Sequence, residues 1–224
     1  MKNNEDLRNE VMDEIRWDPE LRDVATEIGV ASKDGVVTLS GVVTSYWKKL
    51  AAERAAQRVA GVKVVASNID VGLSGIGKRT DTEIAEAAKN ALRWNSAVNE
   101  DKLEVKVDNG WVYLEGKVDF DYEKRYAQDC VENLLGVRGV TNNITIVTKV
   151  INTEDIQRKI VAAYHRHASI DASSISVIAA GNKVVLKGKV SSWAERKEAE
   201  RVARLAPGVS SVDNKIDIDV SVFA

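Results

Sequence analysis

Residues Asp34 to Val71, DGVVTLSGVVTSYWKKLAAERAAQRVAGVKVVASNIDV, decide the fold, because the rest of the chain carries two further copies of them. They return as Asn109–Ile146, NGWVYLEGKVDFDYEKRYAQDCVENLLGVRGVTNNITI, and as Asn182–Ile218, NKVVLKGKVSSWAERKEAERVARLAPGVSSVDNKIDI. Gly41, Gly116 and Gly188 each precede a second glycine, Gly61, Gly136 and Gly208, by the same 20 positions. Self-similarity at a fixed spacing, with no gap needed, is the signature of a tandem array.

Each copy has a physical reading. Val37, Leu39 and Val43, then Val112, Leu114 and Val118, then Val184, Leu186 and Val190 alternate with polar residues, which predicts a strand running through the first glycine. Such a glycine marks a bend or a close backbone approach. A charged segment follows whose small apolar residues fall at i, i+3, i+4 and i+7: Ala52, Ala55, Ala56 and Val59; Ala127, Cys130, Val131 and Leu134; Ala199, Val202, Ala203 and Ala206. That spacing makes one buried stripe on a helix. The second glycine suits the residue just past a helix C-terminus, where positive φ is needed. Ile69 and Val71, Ile144 and Ile146, and Ile216, Ile218 and Val220 then predict one more strand, parallel to the first through a right-handed crossover.

Ahead of this unit each copy adds a helix and a strand. The helix is carried by Val11 and Ile15; by Ile84, Ala87, Ala88 and Leu92, with Thr80 and Glu83 as a capping box; and by Ile156, Ile160, Val161 and Tyr164. Ile28 and Val30, Leu103 and Val105, and Ile175 and Val177 predict the strand. It leads into the turns Lys33-Asp34-Gly35, Asp108-Asn109-Gly110 and Ala180-Gly181-Asn182. The fold class is α+β: three tandem small domains, 1–73, 80–148 and 152–224, each α-β-β-α-β with two helices on one face of a mixed three-stranded sheet.

The pattern G-x-V-x-L-x-G-x-V, a charged helix, then G-V-x-x-V-x-N-x-I resembles the BON domain family, named for bacterial osmotically induced and nodulation proteins. In the first copy it covers Gly35–Val43 and Gly61–Ile69, and the other copies match equally well over nearly the whole chain. Two departures are visible. Copy three has Gly181-Asn182 where Asn-Gly is expected, and copy one has Ser67 where the others have Asn142 and Asn214. The resemblance implies a binding module linked to phospholipid or membrane surfaces, osmotic stress and transport, with potassium binding in one relative.

Composition narrows the function. The net charge is −2 overall, divided as −2, −2 and +2 over residues 1–77, 78–150 and 151–224, so there is no electrostatic footprint for nucleic acid. The N-terminal segment MKNNEDLRNEVMDEIRW has no apolar core of a signal peptide, and no apolar run approaches membrane-spanning length, so a cytoplasmic location is expected. Cys130, the single cysteine, is expected as a buried inert thiol. Copies of this size sit near the lower limit for an independent core, which predicts contacts between the copies.

No catalytic constellation assembles, no cofactor is implied, and the chain reads as a non-enzyme. His165 and His167 lie two apart and point to different faces of a helix, so they make no metal pair. Gly72–Lys78 matches G-x4-G-K, but Arg79 stands where a magnesium-binding hydroxyl belongs. Candidate lipid or anion contacts are Lys183, Lys187 and Lys189 on the open sheet face of copy three, with Arg196, Lys197, Arg201 and Arg204 on the following helix. Asp217 and Asp219 on the neighbouring strand are their expected neutralisers.

Aromatic residues supply the other clue. Trp17 and Trp94 occupy equivalent helix ends, with Arg166 in copy three, and are expected at core edges. Tyr46-Trp47, Phe120 with Tyr122, and Trp193 recur at the start of the second helix. Trp111 and Tyr113 have no counterpart in the other copies and fall on the open sheet face of copy two, where they are expected to form an interface. The preferred partner is an anionic phospholipid surface or an envelope protein, under osmotic or related stress. The alternatives are a potassium sensor and a structural adaptor, and the oligomeric state stays open.

Overall fold

The computed structural model describes residues 3–72, 78–147 and 153–219. The glycine-rich stretch that mimics a phosphate loop falls largely outside them, as do most of the second linker and Val220. Copy one comprises α1 (Asn4–Trp17), β1 (Ile28–Lys33), β2 (Val36–Val43), α2 (Tyr46–Arg58) and β3 (Val64–Val71). Copy two repeats the order with α3 (Asp81–Trp94), β4 (Leu103–Asp108), β5 (Trp111–Val118), α4 (Asp121–Glu132) and β6 (Gly139–Ile146). Copy three has α5 (Thr153–Arg166), β7 (Ile175–Ala180), β8 (Lys183–Val190), α6 (Trp193–Arg204) and β9 (Ser211–Ile218). Copies one and two fall in one compact unit, and copy three makes up most of another.

In each sheet the middle strand is the second of its copy. β1 runs antiparallel to β2 with Ile28 opposite Gly41, and β3 lies parallel to β2 with Val36 opposite Val64. Copy three keeps that register, with Ile175 opposite Gly188 and Lys183 opposite Ser211. Alternation then sends Val37, Leu39 and Val43, and their equivalents in β5 and β8, into cores that the helices cover. The first helix contributes a stripe of every fourth residue: Leu7, Val11 and Ile15; Ile84, Ala88 and Leu92; Ile156, Ile160 and Tyr164. The second helix meets the sheet through alanines, Ala52, Ala55 and Ala56 in α2 and Ala199 and Ala203 in α6, whose short side chains let it lie close. Cys130 is only half-buried, not buried as expected, and at the core's edge it accepts a 3.0 Å hydrogen bond from Asn95 Nδ2.

The first glycine of the repeat is required by a close approach. A Cβ on Gly41 would stand 2.0 Å from the Glu27 carbonyl oxygen, and the same clash recurs at Gly116 and Gly188. Each also has φ between +130° and +144°. The hairpin turns differ in chemistry and agree in effect. Asp34-Gly35 and Asn109-Gly110 both have two positive φ values, as a type I′ turn needs. In copy three only Gly181 is positive, the type II′ pattern, so reversing the order of glycine and asparagine leaves the hairpin intact. The start of the first helix braces the turn: Asn4 Oδ1 accepts from Asp34 N at 2.8 Å, and Asp81 accepts from the backbone of both Asn109 and Gly110 at 2.8 Å.

A second brace ties the last strand to the helix before it. Lys49 Nζ donates to the Ile69 carbonyl at 2.8 Å, Lys124 Nζ to that of Ile144 at 2.7 Å, and Arg196 Nε to that of Ile216 at 2.8 Å. In copies two and three a strand asparagine completes it. Asn142 Nδ2 reaches the Lys124 carbonyl at 2.8 Å and Asn214 Nδ2 the Arg196 carbonyl at 3.2 Å. Ser67 is too short for that reach, and its hydroxyl is buried with no hydrogen-bond partner. Restoring the amide with Ser67→Asn is expected to stabilise copy one by about 1 kcal/mol, the usual net worth of one such bond. The check is a higher urea midpoint with an unchanged slope.

Candidate functional site

The seven candidate cations of copy three do not gather into one patch. Lys183, Lys187 and Lys189 are exposed on the sheet face opposite the helices. Lys189 Nζ lies 3.5 Å from Asp219 Oδ2. Lys187 sits beside Lys215, which is itself 3.1 Å from Asp213, so the face mixes both signs. The helix residues belong to the other side of the domain. Arg196 lies over the Trp193 ring at 4.9 Å and turns its guanidinium to the Ile216 and Asn214 carbonyls, where it braces the fold. Arg201 is held in a two-pronged contact by Glu198, and Arg204 by Glu200 at 2.6 Å, while Lys197 is exposed.

These pairs shape the titration of copy three. For Glu198 the Arg201 hydrogen bond is the largest influence and lowers the pKa against a smaller opposing effect of burial. For Glu200 burial is the largest influence and raises it, but Asn214 and Arg204 together outweigh burial and the net direction is downward. A carboxylate whose folded pKa lies below its ordinary value of 4.5 contributes stability that is fully present above that pH. That contribution disappears as pH falls through the folded value. The Glu198→Gln and Glu200→Gln variants are therefore expected to be less stable than the parent at pH 7, with the difference shrinking below pH 4.5. Urea unfolding at pH 7 and pH 3 reads this directly. His167 Nε2 also reaches Glu198, at 2.8 Å, while His165 is exposed at the end of α5.

In copy two, Trp111 and Tyr113 stand on the open face, as period-two alternation requires. Trp111 is 42% exposed. Its indole covers Gly139, where an added Cβ would lie 2.6 Å from the ring, and Nε1 donates to Thr141 Oγ1 at 2.8 Å. The indole thus fills the place that Val64 and Ser211 occupy in the other copies. Tyr113 is half-buried, with Lys106 Nζ 6.0 Å from its ring centre. Both aromatics line a cleft of about 380 Å3 whose other wall is Lys49, Asp70 and Val71 of copy one. Near it, Tyr46 takes a backbone hydrogen bond from Val140; burial is the main cause of its raised pKa. Burial likewise raises the carboxyls of Asp129 and Glu132 on α4, partly offset by Arg54 of α2.

The tryptophans at the ends of the first helices are not core edges. Trp17 is 83% exposed and Trp94 is 85% exposed. Helical phase explains this, since each lies two residues beyond the last buried member of its stripe, Ile15 or Leu92, and two residues rotate a side chain to the far side. An arginine, Arg16 or Arg93, precedes each. The same phase was available in the sequence. Among the described residues there is no group of three or more His, Cys, Asp or Glu that could hold a metal ion, and no helix is long and apolar enough to cross a membrane.

Three copies of a one-sided α-β-β-α-β sandwich, with exposed aromatics and paired surface charges, define a tandem array of small α+β domains. The BON domain sequence model matches residues 3–72, 80–148 and 152–219, so the chain belongs to the BON domain family. No curated protein matches it. Among solved structures it is similar to two of CdsD, a structural protein of the type III secretion system of Chlamydia trachomatis. One, at 14% identity, covers 96% of this chain and 92% of that one; the other, its C-terminal domain at 13% identity, covers 97% and 98%. The TM-score is 0.27 for both, too low for anything about this protein to follow.

Proposed function

We propose that the chain is a non-enzymatic module that associates peripherally with a phospholipid surface, in the osmotic or related stress setting with which its family is linked. One observation carries this reading: Trp17 and Trp94 stand almost fully in water at the same place in two copies, each beside an arginine. The fold gives no reason for either, because copy three closes the same helix with Arg166. An indole in water has a large apolar face and one N–H to satisfy. The headgroup boundary of a bilayer suits both, which is why tryptophan concentrates there. Arg93 beside Trp94 adds about 1 kcal/mol of attraction to an anionic leaflet, whereas Arg16 beside Trp17 adds less because it lies 3.7 Å from Asp13. The open-face lysines of copy three, Lys183, Lys187 and Lys189, are a second, purely electrostatic contribution, and Trp111 and Tyr113 serve the junction of copies one and two.

Co-sedimentation with vesicles of phosphatidylglycerol and phosphatidylcholine tests the reading. The double variant Trp17→Ala/Trp94→Ala is expected to keep the parent's thermal midpoint, since neither ring is packed, and to lose at least about ten-fold in vesicle affinity, or 1.4 kcal/mol. The triple change of the strand lysines to Gln is expected to weaken binding at low salt and to matter little at high salt. Full binding by the tryptophan variant would overturn the proposal. Loss in the lysine variant alone would move the site to copy three.

A further inference from the structure

Copies one and three differ most where their two helices face each other. In copy one the pair is strapped: Arg58 of α2 donates through Nε to Glu14 Oε1 at 2.6 Å and through Nη2 to Asp18 Oδ2 at 2.7 Å. The repeat aligns Arg58 with Leu205 through Gly61 and Gly208, and Ile15 with Tyr164 through the buried helix stripe. On that alignment Glu14 becomes Ala163 and Asp18 becomes His167, so copy three lacks the arginine strap, and the end of its first helix meets α6 instead through His167 Nε2 and Glu198 at 2.8 Å. The surrounding charge inverts as well, with Glu10 replaced by Lys159, Asp13 by Ala162 and Trp17 by Arg166. Copy two is intermediate and neutral at these positions, with Ala87, Asn90, Ala91 and Asn95.

What remains in place of the strap is a groove of about 500 Å3 between α5 and α6, within the range of small-molecule sites. Ala163, Val202 and Ala206 form its floor, and Leu205 and Pro207 rise at one side. Leu205 is half exposed, an apolar side chain held at the surface beside the opening. Lys159 and Arg166 rim the groove from α5; seven residues apart, they share one helix face and are separated by about 10 Å. The remaining rim groups are committed, because Glu198 holds both Arg201 and His167. Lys159 has only a 3.9 Å contact with Asp155, and Arg166 has no partner among the described residues.

We infer that this groove binds a free single-chain aliphatic carboxylate. Its hydrocarbon lies against the exposed Leu205 and Pro207 and the half-buried Ala163 and Ala206, above the buried Val202, and its carboxylate meets the Arg166 guanidinium in a two-pronged contact. Charge selects the anion: a cationic amphiphile meets the same floor but finds Lys159 and Arg166 at either end. Width selects a single chain, since a furrow between two packed helices offers one strip of apolar surface and not the broad face that a partner helix or a two-chain lipid would cover. The inference is independent of the membrane reading, which rests on Trp17 and Trp94 of copies one and two and on the lysines of the opposite, open sheet face of copy three.

Isothermal titration calorimetry of the full chain with decanoate tests it, with acetate and decyltrimethylammonium as charge-only and reversed-charge comparisons. Saturable binding of decanoate alone is expected. Arg166→Gln is expected to weaken it about ten-fold, the equivalent of 1.4 kcal/mol. The double variant Ala163→Glu/Leu205→Arg rebuilds the strap of copy one across the groove. It is expected to fold, because Leu205 is exposed, Ala163 is only half-buried and copy one carries the same pair at the aligned positions, and to abolish decanoate binding while vesicle binding through Trp17 and Trp94 persists. No decanoate binding by the parent, or undiminished binding by the double variant, would overturn the assignment. Equal binding of decyltrimethylammonium would also overturn it, by showing an unselective apolar surface. If phosphatidylglycerol vesicles compete for the groove and free decanoate does not bind, the groove belongs to the membrane contact and the inference fails.

Discussion

The brace between the second helix and the last strand holds each copy together. A three-stranded sheet has one face to bury and two edges, and a helix laid across that face must be kept from sliding along it. The cation of Lys49, Lys124 or Arg196 fixes the slide by ending on the carbonyl of Ile69, Ile144 or Ile216, a strand residue whose neighbouring positions face the opposite way. With the crossover pinned there, the alanines of α2 and α6 come down on Val37 and Leu39 or on Val184 and Leu186, and the glycine of the middle strand passes so near a backbone carbonyl that an added Cβ would lie 2.0 to 2.2 Å from its oxygen. In copy three the brace carries a further layer, since Glu200 holds both Asn214 and Arg204. Tyr164 joins the first helix to this system through its 2.8 Å hydrogen bond to the Ala199 carbonyl. Burial drives the pKa of that phenol well above its usual range, so it stays a neutral donor at all ordinary pH.

This arrangement explains what the sequence disclosed. Burial on one face writes a period of two into the strands and nearly four into the helices, and the close approaches write a glycine at the same place in every copy. Those are local signals, and element order, register and core followed from them. The capping box of Thr80 and Glu83 is equally local and is formed as the spacing implies. The exposed Trp17 and Trp94 were legible in principle, through helical phase, but aromatic identity pulled the expectation toward the core. A conflict between residue type and phase is itself informative: phase is geometric, whereas the preference of tryptophan for the interior is only a tendency.

Other features could not be read from one copy because they depend on two elements meeting. The orphaned hydroxyl of Ser67 is visible only once Asn142 and Asn214 are seen to reach a helix carbonyl. Arg196 looked like one more surface cation until its guanidinium was found turned toward β9. The partnering of Trp111 with Gly139 is a packing relation between neighbouring strands: the large ring occupies the place of a side chain the next strand lacks.

Repetition separates what the fold demands from what it merely permits. The cation that braces the sheet and the glycine of the middle strand keep their chemistry in all three copies, because a changed residue there would leave a buried polar group or a clash, as the orphaned hydroxyl of Ser67 shows at the one bracing position that varies. Positions on the outer helix faces carry no such penalty, and there the copies diverge: an acid-arginine strap over α1 and α2, neutral residues over α3, a basic rim around an apolar groove over α5 and α6. Exposed substitutions of this kind cost little stability. One scaffold can therefore present three different surfaces at almost no energetic cost to folding. Chemistry specific to one copy must be sought on those faces, and a lone tryptophan or an unpaired arginine there is more informative than any residue of the core.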